Sequence, residues 1–241
     1  MIKLYQFPIS HYCEKIRWTL DFKCLEYKAI NLLPGLHIKT TKQIARYSSV
    51  PVLTDGDVCI QNSSKIISYL DTKYPEHNLT PKEHKVRKDA LEWERYVDVE
   101  LGIHVRVCCY HILLEYPDIV IPFFTHKGPW YGKLVIKLSF NKLKTKMRQL
   151  MKINVSTFKH SKAKMGEAID KIYNHLQHNE FLAGNKFTRA DLAAASLLAP
   201  LVMPNGYGLN WPKKIPVELL KLQNEFKHKI TWVNEIYNKY H

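Results

Sequence analysis

The sequence has no apolar run that approaches the ~20 residues needed to span a bilayer. Its N-terminus, MIKLYQFPIS, begins as a strand and lacks the charged segment, apolar core and cleavage site of a signal peptide. The five cysteines are odd in number and lack the paired spacing of a zinc site or a disulfide framework. We therefore expect a protein of the reducing cytoplasm, with no membrane span and no bound metal.

Acidic residues are missing from one long stretch. The 241-residue chain has 36 basic and 22 acidic residues, for a formal net charge of +14, yet 119–166 holds no acid. Such a block attracts nucleic acid, an anionic membrane surface or an anionic substrate, although a solvated helical face in a basic protein has the same composition. The interleaved apolar residues favour the buried side of an amphipathic helix over a base-stacking platform, so a nucleic-acid partner is not expected. The basic residues of the stretch are Lys127, Lys133, Lys137, Lys142, Lys144, Lys146, Arg148, Lys152, Lys159, Lys162 and Lys164.

The first third of the chain has the pattern of a small α/β domain. Residues 2–7 and 25–32 are predicted strands on either side of a helix at 11–23, and 39–47 is a short helical connection. Asp55-Gly56 suits the tight turn of a hairpin, and the next helix begins at Ser63 and ends before Pro75. This order of elements predicts a small sheet with an antiparallel edge hairpin.

The rest of the chain is predicted to be helical. Strand signals stop by residue 76, and the polar, proline-containing segment 77–84 is the predicted linker to a second domain at 85–241. Thr188 and Asp191 fit a capping box, with Phe187 as its staple, before a helix that is apolar all round and should cross the middle of that domain. Helical periodicity covers 85–116, 140–151, 161–178, 217–227 and 231–240, whereas the apolar 119–124 is not assigned.

The start of the first predicted helix is one candidate site. A hydroxyl or thiol there lies near the positive end of the helix dipole, which stabilises an oxyanion or a thiolate. Ser10 can donate a hydrogen bond to a thiolate ligand, and it can equally serve as the helix cap. Cys13, one turn further on, fits packing better than reactivity. Tyr5, in the first strand, is a second possible hydroxyl.

The segment around the hairpin is the other candidate site. Asn62 and Ser63 place short polar side chains where a helix leaves its first N–H groups unpaired, which suits a carboxylate or a phosphate. Val50-Pro51 puts a proline at the mouth of a strand, where it exposes neighbouring backbone groups and can be cis. An ordinary capped ββα unit has the same pattern.

These motifs, in this order, resemble the cytosolic glutathione transferases. Ser-x-x-Cys after strand one, Val50-Pro51-Val52-Leu53 and Asn62-Ser63-Ser64-Lys65-Ile66 resemble that family's thioredoxin-like domain. The segment Phe187-Thr188-Arg189-Ala190-Asp191-Leu192 is similar to its capping-box and staple motif. In the amino-acid sequence of these motifs, the chain looks most similar to poorly characterised bacterial members. The resemblance implies an α/β thioredoxin-like domain at 1–76 followed by an all-α helical bundle.

The resemblance also implies roles for individual residues. Pro51 is expected to be cis, with the Val50 backbone pairing the cysteinyl part of glutathione. Ser63, with Asn62 beside it, is expected to bind the γ-glutamyl carboxylate, and Ser10 to activate the thiolate. Lys39 or Lys42 is expected to neutralise the glycyl carboxylate. The second-substrate pocket is expected to include Tyr12, the region 105–111 with Cys108 and His111, and the loop near Tyr207.

Several departures from the family's pattern bear on these roles. The Asn-Pro-x-Gly that often precedes Val-Pro is replaced at 45–48, which puts the geometry of that loop in doubt. Serine at position 10, where members that form mixed disulfides carry cysteine, argues against a glutaredoxin-like activity. Lys65 replaces a residue that is usually small and apolar, at a possible subunit contact.

The protein is therefore predicted to be a glutathione transferase that acts in detoxification. It is expected to be cytoplasmic and homodimeric. Glutathione is its expected co-substrate, and small hydrophobic electrophiles are conjugated or reduced. The alternative is a non-catalytic binding or interaction protein with the glutathione transferase fold. In that case the basic 127–164 surface holds an anionic ligand or partner.

Overall fold

The computed structural model describes residues 1–241. The N-terminal domain contains β1 (Ile2–Gln6), α1 (His11–Phe22), β2 (Tyr27–Asn31), α2 (His37–Ile44), β3 (Val52–Asp55), β4 (Val58–Gln61) and α3 (Ser63–Lys73). Its four strands have the order β2-β1-β3-β4, with β1 and β2 parallel and the other pairs antiparallel. The predicted thioredoxin-like domain with an antiparallel edge hairpin is confirmed.

Hydrophobic alternation explains how the sheet is covered. In β1 the side chains of Ile2, Leu4 and Gln6 are buried and those between them are half-buried, as expected for a strand with two different faces. Helices α1 and α3 pack against each other and contribute fully buried apolar residues such as Ile16 and Ile66 to the same core. The domain is thus assembled by apolar burial, and the helix starts remain at its edge.

The C-terminal domain is helical throughout, as predicted. A nearly continuous helical element is formed by α4 (His84–Tyr96), a π-helical turn (Val97–Gly102) and α5 (Ile103–Leu113). The others are α6 (Pro117–Thr125), α7 (Gly132–Leu150), α8 (Val155–Leu176), α9 (Arg189–Val202), α10 (Val217–Phe226), a short 3₁₀ turn (Lys227–Lys229) and α11 (Trp232–Tyr240). The unassigned 119–124 is helical, and α7 starts eight residues before the predicted start at 140.

Helix α9 is the centre of this domain. Its residues from Arg189 to Ala199 are all buried, which matches the prediction of a helix that is apolar all round. The predicted capping box is present, because the backbone N–H of Thr188 donates to Oδ2 of Asp191 at 2.9 Å. The two domains share one apolar core of 51 buried residues, so they pack as a unit.

A buried arginine also crosses the domain boundary. The guanidinium of Arg189, 1% exposed, donates to Oε2 of Glu94 at 2.6 Å and to the backbone oxygen of Ser64 at 2.8 Å. It also donates to the hydroxyls of Ser68 and Thr80. Because one rigid fork bonds groups from α3, the linker and α4, it fixes the position of α3 against the helical domain.

Candidate functional site

Two helix N-termini lie at one edge of the sheet. β1 leads into α1 and β4 leads into α3, and the register pairs Tyr5 with Val52 and Val52 with Gln61. Because β1 and β4 are each antiparallel to β3, they run in the same direction and end at the same edge. The sheet therefore brings Ser10, before α1, and Ser63, at the start of α3, to one side of the domain with the positive ends of two helix dipoles.

Ser10 is the N-cap of α1. Its Oγ accepts a hydrogen bond from the backbone N–H of Cys13 at 3.4 Å, which leaves the hydroxyl proton free to be donated. The side chain is half-buried and lines a cavity between the domains, which is described below. Cys13 is fully buried, and burial raises the pKa of its thiol, so it is packed as predicted. Tyr5 does not line the cavity.

Arg17 holds the loop that carries Ser10. Its guanidinium donates to Oε2 of Glu14 at 2.8 Å and to the backbone oxygen of Pro8 at 3.0 Å, and both charged side chains are buried. Burial disfavours both charges, but Glu14 raises the pKa of Arg17 and Arg17 helps to lower the pKa of Glu14, so both stay ionised. Sequence reasoning missed this pair. The available signal was a base three residues after an acid on the buried face of α1.

Tyr207 supports the same loop from the helical domain. Its hydroxyl donates to the backbone oxygen of Ile9 at 2.8 Å, and its ring centroid lies 5.4 Å from the guanidinium carbon of Arg17. A Cβ at Gly208 would lie 2.6 Å from that guanidinium, so only glycine fits beside it. The predicted placement of Tyr207 in the substrate pocket is corrected, because the side chain is buried in this contact and does not line the cavity.

Tyr12 lines the cavity, but its hydroxyl is already engaged. It donates to the backbone oxygen of Asp98 at 2.6 Å. Burial and the Asp98 charge raise the pKa of Tyr12 well above its ordinary value, so the group stays protonated. A Cβ at Gly102, in the π-helical turn, would lie 2.6 Å from the Tyr12 oxygen. Glycine there permits the contact, and Tyr12 shapes the cavity wall without offering a proton to a ligand.

Asp98 joins the two helix starts. Its Oδ1 accepts from Nζ of the fully buried Lys15 at 2.7 Å, and its Oδ2 accepts from Oγ of Ser64 at 2.8 Å. Lys15 belongs to α1 and Ser64 to the first turn of α3, so one carboxylate fixes the spacing between the two candidate ligand-binding ends. The sequence offered no signal for this contact, because its partners are far apart along the chain.

The start of α3 has the geometry of an anion site. Asn62 has a φ of 91°, which non-glycine residues rarely adopt, and its Oδ1 accepts from the backbone N–H of Lys65 at 3.2 Å. Ser63 is the first helical residue, and its side chain is 4% exposed. The first N–H groups of a helix have no intrahelical partner, so those of Ser63 and Ser64 are the donors for a carboxylate.

The peptide bond between Val50 and Pro51 is cis, as predicted. Val50 lines the cavity and lies before β3 begins, so its backbone groups lie outside the β1–β3 ladder. The preceding loop is ordered by Gln61, whose Nε2 donates to the backbone oxygens of Tyr47 at 2.8 Å and Ser49 at 2.7 Å. These bonds give a defined geometry to the 45–48 segment, which replaces the family's usual Asn-Pro-x-Gly.

A cavity of about 390 Å³ lies between the domains beside Ser10. Its lining includes Ser10, Ser48, Ser49 and Val50, and most of its other lining residues are apolar. The remaining lining residues are Phe7, Ile9, His11, Tyr12, Pro34, Gly35, His37, Ile38, Arg106, Cys109, Tyr110, Leu113, Phe123, Phe124, Leu143, Lys146, Met147, Leu150, Met151, Pro200, Met203, Trp211 and Leu219. A space of this size and character suits a small apolar molecule.

Helical periodicity corrects two further predicted pocket residues. Helix α5 lines the cavity with Cys109 and Tyr110, together with residues one turn to either side, whereas Cys108 and His111 are not part of the lining. At about 100° per residue, those two side chains project from the opposite side of the helix. His111 stacks on Phe158, with ring centroids 4.4 Å apart.

The predicted lysines of the glycyl end lie on α2. Lys39 and Lys42 are exposed, neither has an acidic partner, and neither lines the cavity. They remain candidates for a ligand carboxylate that projects from the cavity towards α2.

The acid-free stretch 119–166 forms most of α6, all of α7, the first part of α8 and the loops between them. Lys144 and Arg148 pair with Glu115, Lys162 pairs with Glu225, and Lys164 pairs with Glu167. The other basic residues of the stretch have no acidic partner, and among its basic residues only Lys146 lines the cavity.

The structure contains no group of three or more His, Cys, Asp and Glu side chains placed to hold a metal ion. All five cysteines are free. No helix combines the length and the apolar character that a membrane crossing needs.

Comparison with known proteins places the chain in a family. The family model "Glutathione S-transferase, N-terminal domain" matches residues 4–78, and "Glutathione S-transferase, C-terminal domain" matches residues 143–239. Together these two matches cover most of the chain and both domains of the fold. The chain belongs to the glutathione S-transferase family.

The individual relatives agree with this placement. Glutathione S-transferase Z1 of Arabidopsis thaliana is 39% identical over 105 residues, which are 42% of this chain and 47% of that protein. Glutathione transferase F7 from Populus trichocarpa has the same fold, with a TM-score of 0.66 and 16% identity over 99% of this chain and 94% of that one. A glutathione S-transferase from Methylobacillus flagellatus KT with glutathione bound gives a TM-score of 0.59, at 16% identity over 97% and 98% of the two chains.

Two qualifications follow from these matches. The chain spans about half the length of the curated plant relatives that it matches in sequence. The expected resemblance to bacterial members is not supported, since plant glutathione S-transferases are the relatives that match at 37–42% identity.

Proposed function

We propose that the protein is a glutathione transferase that conjugates or reduces small hydrophobic electrophiles. The observation that carries the proposal is the meeting of Ser10, the cis Val50–Pro51 bond and the start of α3 at one edge of the sheet, beside an apolar cavity. A tripeptide with two carboxylates and a thiol has a complementary group for each of these features.

In this proposal glutathione is held mainly by backbone groups. The γ-glutamyl carboxylate lies at the start of α3, where it accepts from the free N–H groups and the hydroxyl of Ser63, with Asn62 beside it. The N–H and C=O of Val50 pair with the cysteinyl residue in the manner of an added strand. The glycyl carboxylate extends towards Lys39 or Lys42.

Ser10 then acts on the thiol. Its hydroxyl donates to the glutathione sulfur, and a donor favours the thiolate over the neutral thiol. The dipole of α1 adds positive potential at the same place. The thiolate attacks the electrophilic centre of a second substrate in the cavity and forms a carbon–sulfur bond as the leaving group departs. When it adds to an activated double bond instead, the other carbon takes a proton from water. When it reduces a hydroperoxide, the thiolate takes up the outer oxygen and the alcohol leaves, and a second glutathione then gives glutathione disulfide and water. Ser10 is never covalently modified.

Three simple measurements test the proposal. The protein should be retained on glutathione-agarose, and glutathione should raise its melting temperature. With 1-chloro-2,4-dinitrobenzene, turnover should fall sharply in Ser10→Ala while retention on the resin persists. No retention, no thermal shift and no conjugation would instead favour the non-catalytic alternative, in which the basic 127–164 surface holds an anionic partner.

A homodimer is part of the proposal. Leu91, Val99 and Ile103 are exposed apolar residues along α4, the π-helical turn and α5, and together they leave an apolar strip uncovered in the monomer. Sedimentation equilibrium should report a dimer, and Val99→Glu should shift it towards a monomer. A cytoplasmic location and a role in detoxification stay predictions.

A further inference from the structure

Arg106 is a cation without a partner. It lines the cavity from α5, and no hydrogen bond or ion pair engages its guanidinium, although its Nε is buried. Arg106 is half-buried, whereas the two buried arginines of this chain, Arg17 and Arg189, each have a carboxylate partner. Taking a charge partly out of water without a partner costs free energy, so an unpaired guanidinium facing a cavity indicates a missing anion.

The cavity itself supplies no such anion. Its lining contains no aspartate or glutamate, whereas Lys146, on α7, adds a second cation that is exposed and has no acidic partner. His11, 4% exposed, also faces the cavity, and its buried Nε2 has no hydrogen-bond partner. The rest of the wall is largely aromatic and aliphatic. This arrangement complements a ligand with an apolar body and one negative charge.

We propose that the second substrate is an apolar carboxylic acid whose carboxylate pairs with Arg106, with Lys146 attracting it at the cavity mouth. This inference rests on the proposed function where it calls the acid a substrate. The binding of the acid at Arg106 does not depend on that function. The carboxylates of glutathione are already assigned to the start of α3 and to α2, so they leave the α5 cation free. Arg106 presents a planar fork that matches a carboxylate with two parallel hydrogen bonds.

A matched pair of unreactive ligands tests the proposal without glutathione. Binding of 2-naphthoate and 2-naphthamide, which differ in charge but hardly in shape, is measured by isothermal titration calorimetry. The acid should bind at least roughly tenfold more tightly than the amide. Arg106→Met should remove that preference and leave amide affinity within about threefold. Equal affinities of the wild type for the two ligands would overturn the proposal.

Three further variants separate charge from packing. Arg106→Lys should keep part of the preference, because it keeps the charge without the fork. Lys146→Met should reduce acid binding less than Arg106→Met, because Lys146 is exposed. Lys142→Met is the matched control, since Lys142 lies on the same helix, is exposed and does not line the cavity. A loss in Lys142→Met equal to that in Arg106→Met would show a general charge effect and overturn the proposal.

The outcomes for the inference and for the proposed function are distinguishable. If the acid is preferred but glutathione neither binds nor reacts, the inference stands and the transferase proposal fails. If 1-chloro-2,4-dinitrobenzene is conjugated but 2-naphthoate is not preferred over 2-naphthamide, the transferase proposal stands and the inference about Arg106 fails. If Arg106→Met leaves 2-naphthoate binding unchanged and raises the thiol pKa of bound glutathione, Arg106 stabilises the thiolate and the inference is wrong.

A different observation concerns the outer face of α7. Trp130, in the turn before α7, and Leu134 and Leu138, on the first turns of α7, are 94%, 63% and 80% exposed. The spacing of four residues places the two leucines along one line. Lys133 and Lys137 flank this line and have no acidic partner. The opposite face of α7 is already used, since its residues pack inward or line the cavity.

We also infer that this outer face binds an anionic lipid surface. Exposed leucines with a tryptophan at one end and lysines beside them form the pattern of a helix that lies in the membrane interface. The absence of any acid in 119–166 makes the charge complementary to anionic headgroups. The cavity faces the other side of α7, so bound lipid would leave the candidate site open.

Vesicle cosedimentation tests this second inference. The protein should pellet with vesicles containing phosphatidylserine more than with pure phosphatidylcholine, and less as salt is raised. Trp130→Ser with Leu138→Ser should abolish pelleting, whereas Val217→Ser, a change at an exposed valine of α10, should not. Failure to pellet with either vesicle, or equal loss in the Val217 control, would overturn it.

Discussion

The Oγ of Ser10 accepts the backbone N–H of Cys13 at 3.4 Å, so the residue caps α1 and still has its hydroxyl proton to donate. The neighbouring Tyr12 is in the opposite position, because its hydroxyl proton is engaged by the backbone oxygen of Asp98. Of these two cavity hydroxyls, Ser10 is therefore the one that fits the role of thiolate donor.

Ser63→Ala should weaken glutathione binding. The change removes one donor to a carboxylate, and hydrogen bonds to charged groups contribute about 1.5–3 kcal/mol, which corresponds to a roughly 10–100-fold rise in Kd. Titration calorimetry measures this directly. Thr72→Ala is the control on the same helix, because that exposed hydroxyl bonds only to the backbone oxygen of Ser68. Equal affinities for both variants would remove Ser63 from the site.

Arg17→Met should destabilise the fold and disturb the Ser10 loop. It leaves the buried carboxylate of Glu14 without its main partner, a change that costs about 3–5 kcal/mol. Glu14→Gln in the same chain should restore much of the loss, since the uncompensated charge is gone. Urea unfolding measures both free energies. A double variant no more stable than Arg17→Met alone would contradict the pairing.

Acid should weaken the domain boundary through Glu94. Burial alone would raise its pKa, but Lys15 and Arg189 hold it below the ordinary 4.5. Because the pKa is depressed in the folded state, the stabilisation is present above pH 4.5 and is lost as the pH falls below it. Glu94→Gln should therefore be much less stable than wild type at neutral pH, and the gap should narrow below pH 4.5. A gap independent of pH would contradict the account.

The pKa of His11 should depend on the nearby charge of Arg106. Burial, and then the charges of Arg106 and Lys15, lower the pKa of His11 to about 3. Because the folded pKa is depressed, neutral His11 stabilises the fold fully above pH 6.5, and this contribution is lost as the pH falls towards 3. Arg106→Met should raise the pKa of His11 in an NMR titration, and Lys142→Met should not. An unchanged His11 pKa in Arg106→Met would contradict the proximity of Arg106 to His11.

The sequence predicted the parts of the site that depend on local signals. Ser10, Pro51 and the start of α3 were found because caps and X-Pro bonds act within a few residues of chain. Arg106 was not singled out within the predicted pocket region 105–111, and Asp98 was missed. The roles of both residues arise only when α1, α3 and α5 are packed together. Cys108 and Tyr207 were misplaced because the region was identified without its helical phase or its packing.

The extent of α7 was also missed, for a physical reason. Its first turns carry exposed Leu134 and Leu138 as well as buried Ile136 and Phe140, so apolar residues occur on both sides of the helix. Such a pattern has weak periodicity, whereas 140–151 has one apolar face and was recognised. The two-sided character of the helix is what allows one face to line the cavity while the other faces outward.

The pKa of the bound glutathione thiol tests the central claim most directly. Thiolate absorbance is followed against pH in the complex with wild-type protein and with Ser10→Ala, with Ser49→Ala as a control hydroxyl that also lines the cavity. If Ser10 donates to the sulfur, the wild-type complex should have a thiol pKa below that of free glutathione. Losing one charge-assisted hydrogen bond should raise it by about 1–2 units in Ser10→Ala. The same thiol pKa in wild type and Ser10→Ala would contradict the role of Ser10.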